Sequence, residues 1–167
     1  KSCARLARVL VAVGTSLAEA EDLARTAAAG TAVITSPRED YAVYHAATLA
    51  DVRRARGFAG EGRQQCDRLL AGAESVDKPN SAWVKAYVHG VRARCLMDLG
   101  EPAGAVREFE EALRWADAWG DPSSHIRVGV LRSGIAAYQA MGRMDDAAAW
   151  RMKLPAGEAD EGLVGTP

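Results

Sequence analysis

The side chains of this chain that could do chemistry are few and scattered. Its three histidines, His45, His89 and His125, could ligate a metal or move protons near neutrality. None stands three or four residues from a second convincing ligand, the spacing that puts two donors on one helix face, so no metal site is expected. Cys3, Cys66 and Cys95 form an odd set with no CxxC pair, which implies a reducing compartment and no disulfide framework. Cys66 and Cys95 read as small buried hydrophobes. No GxSxG elbow, no phosphate loop ending in GK[ST] and no serine–histidine–acid arrangement occurs. The acids of "REDY" (Arg38–Tyr41) and "REFEE" (Arg107–Glu111) fall at helix starts and on solvated faces, without the pocket that would raise a catalytic pKa. No enzyme and no cofactor are expected.

The rest of the chain explains what must position these residues. Hydrophobic residues make up 49% of it and charged residues 26%, a globular balance long enough for one domain with a core. Alanine supplies about a fifth of the residues, which favours helices that approach closely. A formal charge of −1 gives no basic field for nucleic acid, and no apolar run nears the ~20 residues that span a bilayer. "LARVLVAVG" (Leu6–Gly14) reads as a buried helix, not a signal peptide. The chain opens on Lys1 in mid-helix, from which an N-terminal portion is expected to be missing.

A period organises the sequence. Gly14, Gly57, Gly100 and Gly142 are spaced by 43, 43 and 42 residues, and Pro37, Pro79 and Pro122 by 42 and 43. Two punctuators in one register signal stacked repeats. Each unit should start a first helix near its proline, end it at a left-handed glycine, and return along a second helix. The helices expected are 2–13, 17–29, 38–56, 59–73, 81–99, 102–118, 123–141 and 144–153, in units of about 1–30, 37–73, 79–118 and 122–154. No strand is expected, "TAVIT" (Thr31–Thr35) being too short to weigh. Ser16 with Glu19 and Ser36 with Glu39 fit capping boxes, and Asp121 should cap the helix that starts at Pro122. A tail, 155–167, reads as disordered. Small residues recur after the turns (Ala20, Gly62, Ala105, Ala147) and seven residues before them (Ala7, Ala50, Ala93, with Ile135 the exception). They should let the two helices of each hairpin close.

The stretch "LMDLGEPAGAVREFEEAL", with Gly100, Ala105, Phe109 and Ala112, resembles a tetratricopeptide repeat (TPR), and "YQAMGRMDDAAAW" is similar. The period is longer than the usual 34 residues and resembles the extended variant of kinesin light chains and large bacterial regulators. The last unit departs from the pattern: Arg151 stands at its aromatic-type position and Pro155 cuts its helix short, as in a terminal cap. The resemblance implies an all-α fold of four stacked antiparallel hairpins in a right-handed solenoid, broad and shallowly curved, with first helices lining the concave face. It implies groove positions at Tyr44, Ala47, Asp51 and Arg54, at Tyr87, Arg94 and Met97, and at Arg132 and Gln139. Arginines and tyrosines there would suit a protein or peptide segment rich in carboxylates. The alternative is that these arginines are solvated or paired with neighbouring acids. Trp83 and Trp150 should be core; Trp115 and Trp119 should pack on adjacent units or form a binding hot spot.

The function expected is a non-catalytic protein- or peptide-interaction scaffold, more narrowly the sensor or oligomerisation part of a bacterial transcriptional regulator in the cytoplasm. The alternative is a small-molecule-binding accessory protein with a ligand between Tyr87, Arg94 and Arg132. A homo-oligomer through an exposed repeat end is a third expectation. Neither direct nucleic-acid contact nor a membrane role is expected of this domain.

Overall fold

The computed structural model describes residues 2–32, 39–74 and 82–158. Among them are eight α-helices: α1 (Ser2–Val13), α2 (Leu17–Ala32), α3 (Glu39–Ala55), α4 (Ala59–Glu74), α5 (Ala82–Asp98), α6 (Pro102–Trp119), α7 (His125–Ala140) and α8 (Met144–Arg151). Consecutive helices pack as hairpins, and α1, α3, α5 and α7 pack in series side by side. The described residues hold no strand.

The four turns are copies of one device. Gly14, Gly57, Gly100 and Gly142 have φ of +72°, +92°, +76° and +72°, the left-handed region open to glycine. At Gly100 the glycine N–H donates to Met97 O (3.0 Å) and the next N–H, of Glu101, to Leu96 O (2.9 Å). That is a Schellman stop, and the other three turns repeat it. The second helix of each hairpin then starts with a bond donated by the small residue. Ala20, Gly62, Ala105 and Ala147 give their N–H to Ser16, Phe58, Glu101 and Arg143 carbonyls.

Size decides the seams. Ala7, Ala50 and Ala93 on the first helices and Ala20, Ala105 and Ala147 on the second are buried. A Cβ on Gly62 would lie 2.8 Å from Ala50 O, so glycine is needed where helix propensity opposes it. At the fourth seam Ile135 is buried beside Gly134, where a Cβ would stand 2.2 Å from the Trp150 ring. Trp150 is buried and meets Tyr138 edge-on at 5.4 Å. It fills the place expected of residue 151.

Three apolar clusters follow one another along the stack: Ala7, Ala20 and Val52; Ala50, Cys66 and Val88; Phe109, Leu131 and Trp150. Cys66 and Cys95 lie in the second as buried free thiols. Burial pushes the Cys66 thiol upward and the Cys95 thiol up to about 12, so both stay protonated and unreactive at neutral pH.

Several expectations need correction. Ser16 does not form a capping box; it takes a left-handed φ of +50° in a turn one residue longer than the others. Asp121 is not the cap of α7. Its side chain accepts the N–H and hydroxyl of Ser123 in a tight turn, and Ser124 caps the helix by accepting Arg127 N–H at 3.2 Å. α1 is not buried all round. Ala4 and Ala7 face inward, while Leu6, Val9 and Val13 are exposed because α1 is the outermost helix of the stack. Residues 155–158 form a turn, held where Glu158 pairs with Arg132 at 2.5 Å. The Ser36–Glu39 box, most of "TAVIT", Pro37, Pro79 and residues 159–167 lie outside the described residues.

Candidate binding face

The polar centre of the molecule comes from one repeat position. Six residues before each of the first three turn glycines stand Arg8, Asp51 and Arg94, on the same face of α1, α3 and α5. Stacking brings them together. Arg94 grips Asp51 in a two-point contact, Nε to Oδ1 at 3.2 Å and Nη2 to Oδ2 at 2.9 Å. Arg54 adds Nε to Asp51 Oδ1 at 2.8 Å and reaches Asp98 at 2.7 Å. Asp51 is 7% exposed. Burial opposes its ionisation, but Arg94 and Arg54 outweigh that and hold its carboxyl below the usual range.

Arg8 has no carboxylate partner among the described residues. It donates to the Tyr44 hydroxyl at 3.0 Å and lies over the Tyr87 ring, 5.3 Å from its centroid. Tyr44 and Tyr87 share a second repeat position, thirteen residues before the glycines, and their rings meet at 4.8 Å. The Tyr87 hydroxyl lies 3.3 Å from Thr48 Oγ1.

Two adjoining cavities open on this face. The first, about 250 Å³, is lined by all four first helices, among them Arg8, Asp51, Tyr87 and Arg94. Gly129 and Val130 form its α7 wall. The second, about 330 Å³, is an aromatic box of Tyr41, Tyr44, Trp83 and Trp119, with His45 and Arg5. Trp83 contacts Tyr41, Tyr44 and Trp119 at ring distances of 5.7, 5.5 and 6.5 Å. His125 and Ile126 border both cavities. The curvature is therefore not shallow: Arg8 of the first unit touches the third and shares a wall with the fourth.

Of the expected groove residues, Tyr44, Asp51, Arg54, Tyr87 and Arg94 converge. Ala47 is buried in the core. Met97 packs at the edge of the last cluster. Arg132 and Gln139 are exposed and line neither cavity. Arg132 stands ten residues before its glycine, as do Ala47 and Gly90. That position faces the next first helix (Val130 would lie 3.3 Å from a Cβ on Gly90), and α7 has no next one among the described residues. The alternative stated above holds for Arg54, Arg94 and Arg132, all of which are paired with acids. Arg8 was the missed residue, and the signal for it was present, because it shares the register of Asp51 and Arg94. Trp83 is also not core; it is half-buried in the box. Trp119 is 43% exposed there, while Trp115 packs beneath Lys85 and donates Nε1–H to Glu111.

Elsewhere the polar groups serve as clasps. His89 and Glu108 meet at 2.8 Å, and Arg92 joins Glu108 to Asp67 across α4, α5 and α6. Among the described residues no cluster of His, Cys, Asp or Glu could hold a metal ion, and no helix is long and apolar enough to cross a membrane.

The fold matches that of the nearly identical TPR-like repeats of a candidate kinesin light chain from Podosopora anserina, at 20% identity and a TM-score of 0.63, over 91% of this chain and 71% of that one. A single-substitution variant of the same protein matches with the same values. The likeness shows a TPR-like helical-repeat fold. No protein-family model matches the chain, and no curated protein matches it in sequence.

Proposed function

We propose that the chain is a non-catalytic interaction scaffold whose concave face receives its ligand. The observation that carries this is the fixed polar lattice on that face. Asp51 holds Arg54 and Arg94, and Tyr44 and Tyr87 hold Arg8, so donors and rings are preorganised before any ligand arrives. Among the described residues of that face no histidine or carboxylate is hydrogen-bonded to a serine or cysteine, the pairing a nucleophilic reading would need.

A protein or peptide segment is the first ligand class. Peptides selected on the wild type from a displayed library should lose binding to Trp119→Ala and to Arg5→Glu, both exposed positions. Undiminished binding to both variants places the interaction elsewhere and removes the concave-face reading for peptides. The narrower role, sensor or oligomerisation part of a bacterial transcriptional regulator, requires a DNA-binding or ATPase segment in the same gene; a gene with neither removes it.

The second reading is a small-molecule-binding accessory protein. It is favoured by closure of the face, since α1 and α7 border the same two cavities and make a bowl where an extended peptide would want a trough. A cavity of about 330 Å³ lies within the usual range of roughly 300–1,000 Å³ for small-molecule sites.

A further inference from the structure

The concave face carries more arginine than acid. Arg5, Arg8, Arg54 and Arg94 border the two cavities; among the described residues the acids near them are Asp51, Asp98 at the rim, and Asp121, which acts on His125. Asp51 and Asp98 are engaged by Arg54 and Arg94. Among the described residues no carboxylate pairs with Arg8, which is half-buried, or with Arg5. A guanidinium carries five N–H donors, and Arg8 commits one of them to a phenol oxygen. An excess of positive charge on a protein of formal charge −1 is thus concentrated where the surface is concave and fields are focused.

Beside these guanidinium groups stands the aromatic box. Its rings offer flat apolar walls, with the exposed edge of Trp119 at its mouth. An aromatic box alone would suit an organic cation, but two arginines without acids repel one. What complements both halves is a planar apolar body bearing a carboxylate.

We propose that the aromatic box and the two acid-free arginines, Arg5 and Arg8, form a site for a small aromatic carboxylate. This rests on the small-molecule reading of the concave face and names its ligand class. The ring system lies among Tyr41, Tyr44, Trp83 and Trp119. The carboxylate lies toward α1 and the first cavity and accepts charge-assisted hydrogen bonds from the guanidinium groups. His125 stands between the two cavities. Such a ligand touches the first three units at once, so it ties α1 to the rest of the stack.

The test is calorimetric titration of the full chain with 2-naphthoate, 2-naphthamide and phenyltrimethylammonium. The acid should bind, the neutral amide about tenfold more weakly, and the cation not at all. Arg5→Gln and Arg8→Gln should each weaken the acid by about tenfold and leave the amide unchanged. Trp119→Ala should weaken both, with helical content by circular dichroism unchanged. Equal affinity for acid and amide overturns the carboxylate assignment while leaving a small-molecule pocket in place. Preference for the cation overturns it too. No binding of any of the three at millimolar concentration overturns both the assignment and the small-molecule reading beneath it.

Discussion

The seams between helices and the concave face are built from the same four units, yet they use the repeat differently. At the seams a repeat position fixes size: Ala7, Ala50 and Ala93 face Ala20, Gly62 and Ala105, the alanines are buried, and a Cβ on Gly62 would meet the Ala50 carbonyl. On the concave face a repeat position fixes direction only. Arg8, Asp51 and Arg94 point to one place with charges that alternate along the stack. The seam tolerates little variation, Gly62 and Ile135 being its departures from alanine, because interiors are packed at crystal density. The face can vary because each side chain there need only satisfy its neighbours' hydrogen bonds and charges. Similar folds can therefore share seams and differ in ligand.

The largest effect should come from the face, where one buried carboxylate joins α3 to α5. Asp51→Ala leaves Arg94 and Arg54 without their shared carboxylate and should cost about 3 kcal/mol or more, read by urea unfolding. A loss below about 0.5 kcal/mol, typical of an exposed pair, would erase the distinction between this face and ordinary surface. The seam comes next. Ala105→Leu should overpack the third hairpin and cost about 1–3 kcal/mol. Gly134→Ala, whose Cβ would strike the Trp150 ring, should cost about as much. Gly129→Ala, one turn away on the same helix, meets nothing within 4 Å and should stabilise by about 0.5–1 kcal/mol. Opposite signs at these two glycines sharpen the size rule; equal signs break it.

The smallest effect is a pH dependence. Burial lowers the pKa of His45, against the opposing pull of its bond to the Ala27 backbone, and its Nδ1 has no hydrogen-bond partner among the described residues. Burial also lowers that of His125, helped by Arg8 and Arg5 and opposed by Asp121. Both rings therefore give up their proton at lower pH than usual by virtue of the fold, the neutral form being favoured there. Between their folded values and the ordinary value near 6.5, the unfolded chain binds more protons, so stability rises with pH there and falls on acidification. Melting temperature should drop from pH 7 toward pH 5, and the drop should be smaller in His45→Gln. An identical slope in that variant would show that His45 titrates alike in both states.

Much of the fold was legible. Glycine at the turns and small residues at the seams are required by local geometry and excluded volume, and those requirements recur at a fixed spacing that any reader of the sequence can count. Part of the face was legible for the same reason, since Tyr44, Asp51, Tyr87 and Arg94 sit in register. Arg8 obeys the same register but stands in an apolar stretch that reads as core. Arg132 was misplaced because a position that faces the next unit becomes surface when no described helix follows.

What the sequence determined by itself was the period, the hairpins and the positions that must be small, because these depend on contacts within one unit or between neighbours. Tertiary structure alone decided which arginines keep a free charge. That depends on how far the stack curves and on which acid each guanidinium reaches across units. Arg54 and Arg94 found Asp51, Arg8 arrived over Tyr87, and only the superposition of three helices makes the difference.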